Sequence, residues 1–257
     1  MRNKVNPIKT LSSPEVELLS RLEFEGKEII TRQDIAGLCA DKTRAPYLIK
    51  KLLEKKRLRT IIKNIYLLVP MKAPPGQWAG NGYLIAKALA RGADYYIGYS
   101  SVFNSYGFTE QVSQMVHVVN GKYSMEKTIF GVRYKFIKTL PNRFYGLQKR
   151  KIQNEDVIFP DRERALIDVF EFYDTAKAGG ILREQLSKVY VPIFAGYVAR
   201  YPVQTIRRRI GYFLETLGAD KKLLAKISAG DKGYSPLYSG RSNRGPLNKR
   251  WRVIING

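Results

Sequence analysis

Apolar side chains recur at helical spacing from the start of the chain. Val16, Leu19 and Leu22 follow Ser13-Pro14, where Ser suits an N-cap and Pro the first helical position. Acids fill the first turn near the positive end of the helix dipole, and Gly26 ends the segment. Thr31 and Asp34 make a capping box in which Asp stands for the usual Glu or Gln. The short helix that they open buries Ile35, Leu38 and Cys39. Asp41 or Thr43 caps a third helix running to about Lys56, with Pro46 tolerated in its first turn. Ala45, Leu48, Leu52 and Leu53 give that helix its apolar stripe. Leu58–Val69 (LRTIIKNIYLLV) then predicts two short strands joined at Lys63-Asn64, with Pro70 as the stop.

Helix, helix, basic helix and hairpin is the order of a winged helix-turn-helix, expected over residues 1–70. In that arrangement two helices hold the third in a major groove, and the hairpin lies over the flanking backbone. Charge supports this. Residues 13–41 hold three basic and seven acidic side chains, whereas 42–63 hold nine basic ones against Glu54 alone. Arg44, Tyr47 and Lys51 fall at i, i+3 and i+7, and Arg44 is the candidate for reading a guanine edge. Lys42, Lys50, Lys51 and Lys55 are assigned to phosphates, and Arg57, Arg59 and Lys63 charge the wing. Thr43 and Asn64 complete the expected DNA-binding set.

Met71–Asn81 (MKAPPGQWAGN) is rich in Pro and Gly and reads as a linker over 71–82. Beyond it, residues 83–257 predict a mixed α and β domain, divisible near 175–200. Tyr83–Arg91 reads as a helix, and Tyr95–Phe108 as a packed strand or turn entering another helix. Gln114–Val119 and Thr128–Ile137 read as strands, the second with Val132, Tyr134 and Phe136 on one face. Val157–Phe159 is a short strand, and Asp161 caps a helix carrying ERALIDVFEFY. Gly179-Gly180 is expected to separate that helix from Ile181–Val189. Val203–Leu217 forms another helix, and the end of the chain is a basic loop feeding a strand with Trp251, Val253 and Ile255 on one side. The fold class expected is α+β, an N-terminal winged helix-turn-helix followed by a mixed α/β domain.

Composition adds constraints. The 257 residues carry 45 Lys+Arg against 22 Asp+Glu, a formal net charge of +23, with 44% hydrophobic residues, so the chain is basic yet well able to fold. The excess is spread over the whole length, +7 in residues 1–70 and +16 beyond them, which points to nucleic acid, an acidic partner, or both. Arg133, Lys135, Arg143, Arg207, Arg208, Arg241 and Arg244 are candidates for an additional basic surface. One Cys excludes an intrachain disulfide framework and fits a reducing cytoplasm. No apolar run reaches a membrane span, and five Glu within the first 30 residues argue against a signal peptide.

Catalytic material is sparse. With one His (His117) and one Cys (Cys39), no metal site, Ser-His-Asp set or cofactor is expected, and no phosphate-binding Gly motif occurs. His117 lies in an alternating strand and reads as structural. Asp168 and Glu171, three apart on one helix face, are a carboxylate pair that suits Mg²⁺ in a nuclease, but Arg164 offers Asp168 an ordinary i,i+4 ion pair. The expectation is therefore no enzymatic activity.

Three segments resemble the AbiEi-type antitoxin and transcriptional-regulator family of type IV, abortive-infection toxin–antitoxin systems. They are NIYLLVP at the end of the expected wing, YYIGYSSVFNSYGFTEQVSQMVHVVN in the middle, and FPDRERALIDVF at 159–170. Asn64 replaces the usual Gly of the wing turn. The resemblance covers most of residues 15–175. It implies a repressor that binds repeats in its own promoter. It also implies a C-terminal domain that counteracts a nucleotidyltransferase-like toxin, with no stable toxin complex required. A winged-helix regulator without a toxin is the alternative.

Overall fold

A computed structural model describes residues 10–230 and 232–257; residues 1–9, the start of the expected 1–70 domain, and Asp231 lie outside the described residues. It is mixed α and β, in two compact units. The first comprises the chain up to Ala93 together with Lys127–Tyr134 and Arg150–Val157, and the second the remainder.

The first unit opens with α1 (Ser13–Phe24), β1 (Ile29–Thr31) and α2 (Arg32–Leu38). Ser12 rather than Ser13 is the N-cap of α1, because Glu15 three residues on accepts the Ser12 N–H at 2.6 Å. The box expected at Thr31 and Asp34 is present. A 3₁₀ turn, Lys42–Arg44, leads into α3 (Ala45–Glu54). Pro46 lacks the N–H that an α-helix would direct to the Lys42 carbonyl, so regular helix starts only at Ala45. Strands β2 (Leu58–Ile62) and β3 (Ile65–Leu68) form the expected hairpin, and β1 adds to β3 in antiparallel order β1-β3-β2. One core joins Leu18, Leu19 and Leu22 of α1 to Ile35, Leu48, Leu52, Leu58 and Tyr66.

The stretch expected as a linker is tied to this unit. Arg57 donates to the carbonyls of Pro70 and Ala73 at 2.9 and 2.8 Å, and Arg59 to that of Trp78 at 2.6 Å. The Asn81 N–H and the Trp78 indole donate to buried Glu28. Helix α4 (Gly82–Ala90) follows in the same unit. The hairpin tip within Arg150–Val157 joins it as well: Gln153 donates to Glu28 at 2.5 Å, and Asn154 to the Glu25 carbonyl at 3.1 Å.

In the second unit β4 (Tyr95–Ile97), α5 (Ser100–Phe103) and β5 (Met115–Asn120) lie where the sequence predicts them. The strand expected over Thr128–Ile137 is instead a hairpin, β6 (Met125–Ile129) and β7 (Val132–Lys138), turning at Phe130-Gly131. Both turn residues have positive φ, which an extended strand cannot contain. Strand order is β4-β5-β7-β6, and a second hairpin is formed by β8 (Leu147–Ile152) and β9 (Glu155–Pro160).

Asp161 caps α6 (Arg162–Phe172), as predicted, by accepting the Arg164 N–H at 2.7 Å. Helix α6 packs against α5, α7 (Thr175–Gln185), α8 (Val191–Arg200) and α9 (Gln204–Thr216). Gly179-Gly180 does not break the chain: α7 runs through it, and the Phe213 ring fills the space a Cβ on Gly179 would need, 2.5 Å away. A one-turn α10 (Lys221–Leu224) leads to the short strands β10 (Ser235–Pro236), β11 (Leu247–Asn248) and β12 (Val253–Ile254). Trp251 and Val253 are buried as expected and Ile255 is half-buried, although the regular strand spans only two residues.

Candidate nucleic-acid interface

Helix α3 is sided by its sequence. Ala45, Leu48, Ile49 and Leu52 face the core, which leaves Tyr47 and Lys50 outside. Tyr47 is 57% exposed, enough for its ring to meet a partner, and Lys51 Nζ sits 5.6 Å from the ring centroid. Lys51 also reaches Glu54 at 3.4 Å, an exposed pair that competes little with a stronger anion.

Before the helix, Lys42, Thr43 and Arg44 are exposed. Thr43 donates its N–H and hydroxyl to Asp41, which holds that carboxyl below its usual range. The Thr43 hydroxyl is thus already engaged in shaping the turn that presents Arg44. At the hairpin end Lys63 and Asn64 are exposed, with Asn64 at φ 65°, a conformation Asn tolerates better than most residues.

The remaining candidates of this set turn inward. Lys55 Nζ lies 2.5 Å from Glu15, whose carboxyl burial raises but Lys55 and Ser12 lower by more, so that it falls below its usual value. Arg57 and Arg59 are held by the carbonyls of residues 70–78. The structure thus brings together Lys42, Thr43, Arg44, Tyr47, Lys50 and Lys51 around α3, and puts Lys63 and Asn64 at the hairpin turn. Lys55, Arg57 and Arg59 serve as internal ties.

The additional basic residues divide the same way. Arg133, Arg241 and Arg244 are exposed, and Lys135 pairs with Glu126 at 3.2 Å. Arg143 instead donates to Glu171 and to the Tyr201 hydroxyl, and only 14% of its side chain meets solvent. Arg207 donates to the carbonyls of Ser228 and Tyr201, and buried Arg208 to those of Ala229 and Lys232. The RRR triplet is therefore mostly a brace for the chain after α9, Arg209 reaching the Pro236 carbonyl. Sequence spacing did not separate arginines that solvate from arginines that bind carbonyls remote in sequence.

In the second unit the i,i+4 ion pair expected of Arg164 and Asp168 is present, but it lies at the centre of a buried polar cluster that the sequence reading did not include. Arg164 and Asp168 pair with no solvent exposure, between the Tyr96, Tyr145 and Tyr201 rings. Burial pushes the Asp168 carboxyl up to about 6, against the pull of Arg164. Glu171 takes different partners, Arg143 and the Tyr99 hydroxyl at 2.8 Å. His117 is buried, with Nδ1 3.1 Å from the Ser100 hydroxyl, and burial lowers it to about 4. The available signal was the pair of charges four apart inside the apolar run RALIDVF. Among the described residues no group of three or more His, Cys, Asp or Glu is placed to hold a metal ion, and no helix is long and apolar enough to cross a membrane.

No family model matches the chain, and no curated protein matches it. Its fold is similar to that of the RV2827C protein from Mycobacterium tuberculosis, a crystal structure, with a TM-score of 0.65 over 95% of this chain and 92% of that one. The two sequences are 13% identical, so what the chain shares with that protein is its architecture.

Proposed function

We propose that residues up to about 70 form a winged helix-turn-helix that binds duplex DNA, with α3 as the recognition helix and the β2–β3 hairpin as the wing. One observation carries this reading. Lys42, Arg44, Tyr47 and Lys50 stand exposed around one short helix whose opposite side is core, and exposed Lys63 follows at the turn of the hairpin. Arg44 at the helix start suits a base edge, and the exposed lysines suit phosphates. The resemblance of three segments to AbiEi-type regulators extends the reading to a repressor of its own operon that counteracts a nucleotidyltransferase-like toxin in the cytoplasm. We read no catalysis in the chain, since each of Asp168 and Glu171 is already engaged by an arginine.

Binding of the purified protein to duplexes from upstream of its own gene tests the proposal. Engaging about six phosphates gives a slope of log K on log salt near −5. The variant R44A/K51A should lose specific binding while keeping its fold. Unchanged affinity in that variant overturns the assignment of α3. Co-expression with the product of a neighbouring nucleotidyltransferase gene tests the antitoxin role, and growth arrest unrelieved by this protein overturns it.

A further inference from the structure

The tip of the β6–β7 hairpin, Lys127–Tyr134, belongs to the first unit. Its turn is made by Phe130 at φ 51° and Gly131 at φ 86°. Left-handed backbone is rare for an aromatic residue and persists where surrounding contacts over-determine it. Here the Phe130 ring stacks against Arg59, whose guanidinium carbon is 3.8 Å from the ring centroid. Arg59 is itself fixed by the Trp78 carbonyl, so the tip is clamped to β2, the strand that runs on to Lys63.

The hairpin's apolar side chains face inward: Ile129 and Tyr134 are buried, and Val132 is half-buried. Lys127, Thr128 and Arg133 are exposed. Among the described residues neither cation takes part in an ion pair, whereas Lys135 and Lys87 are each paired with a glutamate. From Lys127 to Asn154 the sequence contains no acid. Two unpaired cations and a hydroxyl on a clamped ribbon suit phosphate oxygens, which need charge and donors but no base-specific geometry.

We propose that this tip is a second wing, a phosphate-binding surface through which the first unit grips the DNA backbone beside the segment read by α3. The proposal rests on the DNA-binding reading above. It assigns to the hairpin a share of affinity that is independent of base sequence.

The test compares K127A/R133A with wild type by fluorescence anisotropy over a salt series, on an upstream duplex and on a mixed-sequence duplex of equal length. Both substitutions are at exposed positions that form no ion pair among the described residues, so the fold is retained. Affinity should fall about tenfold or more on both duplexes, and the salt slope should shrink by about 2. The control K188A/K226A removes the same charge from exposed sites in the second unit and should leave the slope unchanged. A wild-type slope in K127A/R133A, or an equal loss in the control, overturns the second wing. Failure of the wild-type protein to bind either duplex overturns the DNA-binding reading itself.

Discussion

Arg164 and Asp168, one helical turn apart on α6, form an ion pair in which neither side chain has any solvent exposure. The Tyr96 hydroxyl lies across the pair, accepting from Arg164 Nη2 at 3.0 Å and donating to Asp168 Oδ2 at 3.4 Å. A pair of this kind contributes less by its own attraction than it costs to break, because removing one partner leaves the other charged and dry.

Asp168→Ala should therefore destabilise the protein by about 3–5 kcal/mol, as an isolated buried charge does. Replacing both partners by apolar residues, R164M/D168L, should cost far less than the single change. Urea unfolding followed by circular dichroism measures both. If the double variant is the less stable, the pair is worth more than its desolvation and the argument fails.

Asp168 and His117 should pull the pH dependence of stability in opposite directions. Folded Asp168, raised to about 6, binds more protons than the unfolded chain above the ordinary 3.8, so its contribution falls as pH rises through that interval. Folded His117, lowered to about 4 by burial and by Lys135 with Glu126 opposing, binds fewer protons than the unfolded chain up to 6.5, so its contribution rises with pH. Relative to wild type, H117Q should lose stability as pH rises from about 4 to about 6, and D168N should gain it. Denaturant midpoints across that interval check the signs, and an imidazole NMR midpoint near 4 checks His117 directly.

Adjacent glycines in α7 should respond with opposite signs. A methyl on Gly179 would meet Phe213 at 2.5 Å, whereas one on Gly180 would meet nothing within 4 Å. Gly179→Ala should cost about 1–3 kcal/mol through overpacking. Gly180→Ala should gain up to about 1 kcal/mol from helix propensity. Thermal unfolding of the two variants separates them, and equal shifts would mean that α9 yields to the added methyl.

Lys50 within α3 and Lys55 at its end should divide between binding and stability. Lys55, tied to Glu15 at 2.5 Å, should cost about 1.5–3 kcal/mol when changed to Ala, the loss of a charged hydrogen bond. Exposed Lys50 should change stability by no more than about 0.5 kcal/mol on the same substitution. K50A should instead reduce the DNA salt slope by about 1. A reversed pattern would mean that Lys55, not Lys50, faces the nucleic acid.

What was legible in the sequence was what neighbouring residues decide. The stripe of α3, the box at Thr31 and Asp34, the turn at Lys63-Asn64 and the cap at Asp161 each follow from side chains within a few positions. Strand β1 was not read, since three residues become a strand only by pairing with β3. Nor was the break at Phe130, where an aromatic takes a backbone that glycine or asparagine usually signals. Helix α7 passes Gly179 because a ring from α9 occupies the gap, a fact held 34 positions along the chain. For the candidate interface Lys42, Lys50 and Lys63 stand exposed, whereas Lys55, Arg57, Arg59, Arg143, Arg207 and Arg208 found partners that no local pattern specifies.

That inward turn of the arginines divides the two kinds of positive charge by vulnerability. The guanidiniums of Arg164 and Arg208 are buried against carboxylate and carbonyl oxygens, where no modifying enzyme reaches them. Lys50, Lys63 and Lys127 stand in solvent, where acylation of an amine erases one charge without touching the core. A cell that modified only such exposed lysines would thus weaken the molecule's long-range attraction while leaving its architecture intact.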